Sequence, residues 1–292
     1  MPADQDLRPV VVAVDSSDSA RGAADWAADV AADWSAPLHL VHVEPTAGRT
    51  TAPSWLAELR AAAESRGARP CTVETITGAV VPAVVAQAAA ARMVVLGSYG
   101  SDAYAGMLAG SVALGVVGGA CCPVAIVRGR DPRVAPPRDG PVVVGVDGSP
   151  AGASALTFAA DLAMSIGSRL VAVHTWSDVA VASDGSPIRR SGSPAGFMSE
   201  ASELLADRLT LVRYRWPELD VTAQVTEGTP LGVLIAQAEQ ARLLVVGTRG
   251  GTGYTGILMG STSNALLEFA PCPVVVVHPP TTVAQPRPRT AS

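Results

Sequence analysis

The sequence contains no lysine: all 21 of its basic residues are arginine. A Walker A phosphate loop, a kinase strand lysine and a Schiff-base lysine are therefore excluded together. Cysteine is scarce too, and the four present (Cys71, Cys121, Cys122, Cys272) form no C-x-x-C pair. With no secretory signal at the start, we expect a reducing cytoplasm and buried, unreactive thiols. A basic surplus is missing as well. The net charge is −5, which disfavours general nucleic-acid binding and makes any phosphate recognition local. Nor is there a serine-histidine-acid ordering, a metal-ligand cluster or a nucleophile elbow, so binding with slow or absent turnover is expected.

What the chain does contain is written twice. VVVAVDSSDSARGAADWAADVA, from residue 10, aligns without gaps on VVVGVDGSPAGASALTFAADLA, from residue 142, pairing Asp15 with Asp147 at an offset of 132. The same offset pairs His42 with His174. TGAVVPAVVAQAAAARMVVLGS aligns on EGTPLGVLIAQAEQARLLVVGT at an offset of 150, as does CCPVAIV on PCPVVVV. The second copy thus carries 18 extra residues, which we place in the Gly/Ser/Pro-rich segment 177–196 and expect to be a mobile loop. The charge-free run Ala105 to Val127 is long enough to span a bilayer. Its glycines, Pro123, and a counterpart bearing Asn264 and Glu268 instead indicate loop, helix and strand, with no membrane association.

Each copy alternates apolar runs of about five residues with longer Ala-rich helical segments, the pattern of parallel strands buried on both faces. Strands are expected at 10–14, 38–43, 71–76, 93–97 and 123–127, then at 142–146, 169–174, 220–226, 243–247 and 273–277. Helices are expected at 18–34, 53–66, 79–91 and 111–120, then at 150–166, 197–215, 229–240 and 261–270. Ser149-Pro150 reads as an N-cap followed by a first-turn proline. The fold class is α/β: two tandem, doubly wound, open parallel sheets of five strands. We expect domains at 1–130 and 141–279, a linker at 131–140 within RGRDPRVAPPRDGP, and a disordered tail at 280–292.

In such sheets ligands bind at the carboxyl ends of strands where the winding reverses, which is where Asp15, Asp147 and two glycine loops fall. The loops share the spacing Gly-x-x-Gly, nine residues, Gly-Ser: Gly97, Gly100, Gly110, Ser111 and Gly247, Gly250, Gly260, Ser261. Glycines that bare backbone N–H groups, ending at a helix N-terminus, make an anion site that needs no lysine. Bland alternatives stand beside this. Ser111 and Ser261 could be plain helix caps, Asp15 and Asp147 plain helix-start acids. His42 and His174 read as packed or hydrogen-bonded histidines, His39 and His278 have no assigned role, and the five tryptophans read as core or interface anchors. Gly251, Gly253 and Gly256 spell a G-x-G-x-x-G, but after the fourth strand rather than the first, and without a counterpart.

These motifs, with aspartate ending strand one, His-Val or His-Thr ending strand two and C-P-V opening the last strand, resemble the universal stress proteins of the tandem two-domain type. The resemblance spans nearly the whole chain. It implies a Rossmann-like, adenine nucleotide alpha hydrolase-like sheet of order 3-2-1-4-5, ATP binding, homodimerisation, an unknown regulatory protein partner, and a role in stress survival or growth control. It further implies that Asp15 and Asp147, with Gly148 following the latter, contact the nucleotide near ribose or phosphates. Val43 and Thr175 would meet adenine through backbone groups. Gly97, Gly100, Gly110, Ser111 and Val112, and Gly247, Arg249, Gly250, Gly260, Ser261 and Thr262, would hold ribose and phosphates. The carboxylates leave room for Mg²⁺ and slow ATP hydrolysis, so a nucleotide-processing enzyme and a nucleotide-free dimerising scaffold stay as alternatives. Two departures weaken the first copy: Ser16 stands where the family usually has glycine, and the first loop carries Asp102 and has Tyr99 where the second has Arg249. An acid beside a polyphosphate costs on the order of 1 kcal/mol, so the second site is expected to bind ATP more tightly.

Overall fold

A computed structural model describes residues 7–44, 53–99, 110–129, 135–177, 179–181, 187–189, 191–248 and 259–279. The first half runs β1 (Val10–Val14), α1 (Asp18–Asp33), β2 (Leu38–Glu44), α2 (Ser54–Ser65), β3 (Cys71–Thr77), α3 (Val80–Ala88), β4 (Met93–Gly97), α4 (Ser111–Gly119) and β5 (Val124–Val127). The second runs β6 (Val142–Gly145), α5 (Pro150–Ser165), β7 (Leu170–Trp176), β8 (Val179–Val181), β9 (Pro187–Arg189), α6 (Pro194–Arg215), β10 (Val221–Glu227), α7 (Pro230–Ala238), β11 (Leu243–Gly247), α8 (Ser261–Phe269) and β12 (Val274–Val277). The valine-rich central strands are buried on both faces because helices cover both. One apolar layer lies under α1, α2, α5 and α6, the other under α3, α4, α7 and α8.

Within each half the strand order is 3-2-1-4-5, all parallel, as expected. The two sheets are also joined edge to edge: β12 pairs antiparallel with β5, making one ten-stranded sheet of order β10-β7-β6-β11-β12-β5-β4-β1-β2-β3. The register is centred on Ala125 opposite Val275, flanked by Val124–Val276 and Ile126–Val274, so a local two-fold axis relates the halves. One direction reverses across this seam. The carboxyl ends of the first half's strands therefore lie on the opposite border of the sheet from those of the second.

Helix packing reinforces the seam. Trp34, at the end of α1, meets Phe158 of α5 edge-on at 5.9 Å. Arg92 stacks 3.8 Å over the Trp34 ring and donates to Asp161 of α5 at 2.8 Å. Its counterpart Arg242 donates to the Ile166 carbonyl at 3.2 Å and stands 4.0 Å from Asp33.

Two expectations need correction. The inserted segment is not loop throughout, since β8 and β9 form an antiparallel pair within it. The helix expected from 197 begins at Pro194, where Ser193 accepts a bond from the Gly196 amide at 3.1 Å. Ser193-Pro194 repeats the cap-and-proline signature of Ser149-Pro150.

Candidate functional site

At the carboxyl end of β1, Asp15 Oδ1 accepts from the Ser17 amide at 2.9 Å, and Ser17 Oγ caps α1 through the Ala20 amide at 3.1 Å. The second half repeats this after β6: Asp147 Oδ1 accepts from the Ser149 amide at 3.0 Å, and Ser149 Oγ accepts from the Gly152 amide at 3.0 Å. Ser149 Oγ also donates to Asp147 Oδ1 at 2.6 Å. One oxygen of each carboxylate thus braces the strand-to-helix turn. Neither aspartate lies in the helical first turn itself, so the plain helix-start reading is replaced by a bracing one.

The turns differ between the halves. Gly148 has φ +79°, in the left-handed region that favours glycine, with Leu204 of α6 packed over its Cα. Ser16 is not left-handed, and the first turn forms without it. Arg208 of α6 donates to the Gly148 carbonyl at 3.1 Å, bringing a cation to the second crevice. This contact has no local signature, because it depends on how α6 crosses the sheet.

The paired histidines do the same job twice. His42 Nδ1 donates to the Val14 carbonyl at 2.9 Å and His174 Nδ1 to the Val146 carbonyl at 2.6 Å. Each ties the end of the second strand of its half to the residue before the aspartate. His42 also packs edge-on against Trp55 of α2 at 5.0 Å. Val43, next to last in β2, is buried beside it, and Thr175 occupies the matching place on β7, half-buried.

The first glycine of each loop is fixed by packing. A Cβ on Gly97 would stand 2.8 Å from the Ser19 carbonyl carbon, and one on Gly247 would stand 2.8 Å from that of Ala151. Strand end and helix first turn touch backbone to backbone there. The third glycine has another part: Gly110 and Gly260 are the N-cap residues of α4 and α8, and among the described residues no side chain caps either helix. Their amides donate back to the Ser98 and Thr248 carbonyls at 2.8 and 2.6 Å, which closes the loop base. Ser111 and Ser261 occupy the first helical position, exposed, so neither is the plain cap that a serine here could have been. Val112 and Thr262 follow, half-buried, and Ser263 donates to the Gly247 carbonyl at 2.7 Å. Gly100, Arg249 and Gly250 lie outside the described residues.

Each crevice therefore gathers, from distant parts of its half, a braced aspartate, a strand end without side chain, and the bare N-terminus of a nine-residue helix. Backbone amides and the helix dipole favour an anion there. Among the described residues there is no group of three or more metal-ligating side chains, and no helix is long and apolar enough to cross a membrane. Burial pushes the Cys122 and Cys272 thiols up to about 12, leaving them unreactive, but the expectation of buried thiols fails at Cys121, which is exposed in the turn before β5.

A family model described as the universal stress protein family matches residues 7–128 and again 140–278. A universal stress protein of Mycobacterium tuberculosis is 37% identical over 290 residues, covering 92% of this chain and 96% of that one. Another from the same organism is 34% identical over 289 residues, with the same coverage of each. Among solved structures, a universal stress protein from Archaeoglobus fulgidus aligns over 93% of this chain and 98% of its own with a TM-score of 0.65. At 18% identity that likeness is one of fold.

Proposed function

Since the chain belongs to the universal stress protein family, with two such domains in tandem, we propose that each half binds an adenine nucleotide, ATP, in the crevice at the carboxyl ends of its strands. Occupancy rather than turnover is then the signal, read by a partner protein that acts on stress survival or growth in the cytoplasm. The observation that carries this reading is the glycine-capped helix N-terminus on the same sheet border as a braced aspartate, built twice in one arrangement. The phosphates suit the amides of Ser111 and Val112 and of Ser261 and Thr262. The sheet ends at Val43 and Thr175 offer main-chain groups to adenine. Asp15 and Asp147 suit the ribose hydroxyls or a Mg²⁺ ion on the phosphates, with one oxygen of each already committed to its turn. Arg208 and the left-handed Gly148 favour the second crevice over the first.

The test has two parts. Protein purified from cells is precipitated with acid and the released nucleotide identified; adenine nucleotide is expected. Single-site chains are then titrated with ATP, using Gly110→Glu or Gly260→Glu to set a carboxylate over one helix N-terminus. The chain that keeps the second site should bind more tightly, and the reverse order overturns the ranking. Absence of binding by the unmodified chain overturns the reading. Overnight incubation with ATP and magnesium, scored for ADP, distinguishes a binder from an ATPase.

A further inference from the structure

The helices that carry the bare N-termini share a second feature: neither α4 nor α8 has a basic residue in its own last turn. Each receives one from the other half. Arg128, the residue after β5, donates through Nη1 to the Glu268 carbonyl at 2.6 Å and lies 3.4 Å from that of Leu267, both in the last turn of α8. His278, the residue after β12, sits with Nε2 2.9 Å from the Val117 carbonyl in the last turn of α4, and Nδ1 3.2 Å from the Cys122 carbonyl. The two are symmetry mates in the repeat. The antiparallel register centred on Ala125 and Val275 explains the crossing, because the residue leaving each edge strand runs past the start of the other, beside the end of the opposite helix.

Each of these residues is also tied to its own half's crevice. The Val277 carbonyl, beside His278, accepts from the Thr248 amide at 2.9 Å, and the Thr248 carbonyl accepts from the N-cap Gly260 at 2.6 Å. In the first half, Val127, beside Arg128, pairs with Gly97 across β4 and β5. Thus a short hydrogen-bonded path runs from one crevice to the far end of the helix that lines the other.

We infer that Arg128 and His278 are positioning residues acting across the seam. Each holds, and when cationic electrostatically supports, the helix whose N-terminus binds phosphate in the opposite half. This rests on the nucleotide reading above. A cation at a helix C-terminus offsets the negative pole and leaves the N-terminus a better anion site. The two halves differ here, since Arg128 is always charged and His278 titrates. A neutral imidazole can donate to only one of the two carbonyls that face it, and the cation can donate to both. The polar groups that bond His278 are those two backbone carbonyls, and burial pushes its titration below the ordinary value of 6.5. The first site is therefore the pH-sensitive one.

ATP binding is read one site at a time. In the Gly260→Glu background, where only the first site binds, His278→Gln should weaken ATP about two- to fivefold at about pH 5.5, the scale of one charge acting along a nine-residue helix near a protein surface, and by less at about pH 8, where the imidazole is neutral. His278→Arg should bind at least as tightly as the parent. The ratio of parent to His278→Arg dissociation constants should narrow towards one between about pH 8 and about pH 5.5. In the Gly110→Glu background, Arg128→Gln should weaken the second site by a similar factor and Arg128→Lys should restore most of it. Unchanged affinities in a chain that binds ATP overturn the inference, as does a pH-independent ratio, or equal losses at both sites that track a fall in thermal stability. Failure of the parent chain to bind ATP overturns the nucleotide reading instead.

Discussion

The first and third glycines of the motif should respond to very different degrees to the same small change. Gly247→Ala sets a methyl 2.8 Å from the Ala151 carbonyl carbon, 2.9 Å from its Cβ and 3.0 Å from its oxygen. All three atoms belong to the first turn of α5, which cannot retreat freely. Pro150 occupies its N-terminus, Ser149 caps it, and Asp147 braces the cap. Ordinary contact needs roughly half an ångström more, and forcing it in a packed interior costs about 2–3 kcal/mol. Gly110→Ala, in contrast, meets nothing nearer than the Ser98 carbonyl oxygen at 3.6 Å, at a φ of −74° that any residue adopts. Only a weaker cap is lost there, about 0.5–1 kcal/mol. The difference of about 2 kcal/mol corresponds to roughly 4–8 °C in melting temperature for a domain of this size. Calorimetry on the nucleotide-free proteins measures it. If Gly247→Ala melts with the parent, or Gly110→Ala proves equally damaging, the first glycine is not a steric requirement and the two glycines do not divide the labour in this way.

Other expectations follow from single contacts. Ser149→Ala removes both the cap on Gly152 and the donor to Asp147, and should cost about 1–2 kcal/mol in urea unfolding; a loss below half of that would show the bracing to be incidental. Arg92→Ala loses the stacking on Trp34 and the bond to Asp161 across the seam. About 1–2 kcal/mol is expected, little reduced by high salt because the stacking is with an uncharged ring. A loss abolished by salt would assign the effect to the ion pair alone. Because burial holds His278 below its ordinary 6.5, the unfolded chain takes up its proton first. That part of the stability is complete above pH 6.5 and declines as pH falls. His278→Gln should flatten this decline, and an unchanged pH profile would refute it.

Strand centres were legible because runs such as Val10–Val14 and Leu243–Gly247 are continuous, apolar and bounded by turn residues. The aspartates and glycines were legible because the repeat wrote them twice. The start of α6 was legible too, in Ser193-Pro194, yet its polar surroundings masked it. What lay beyond reach depended on meetings between distant segments. The close approach of Gly97 to Ser19, the reach of Arg208 to Gly148, and the contacts of Arg128 and His278 arise only once helices are laid on the sheet. The pairing of β5 with β12 is likewise unannounced. An edge strand buried on both faces reads the same whether a neighbour sits beside it or not.

The antiparallel seam has a bearing on recognition. With the crevices opening from opposite rims of one slab, a protein of ordinary footprint, covering on the order of 800 Å², can survey one of them and remain blind to the other. If each half binds nucleotide as proposed, loading at one rim and loading at the other would be separate messages, addressed to different listeners or to two copies of the same listener approaching from opposite sides.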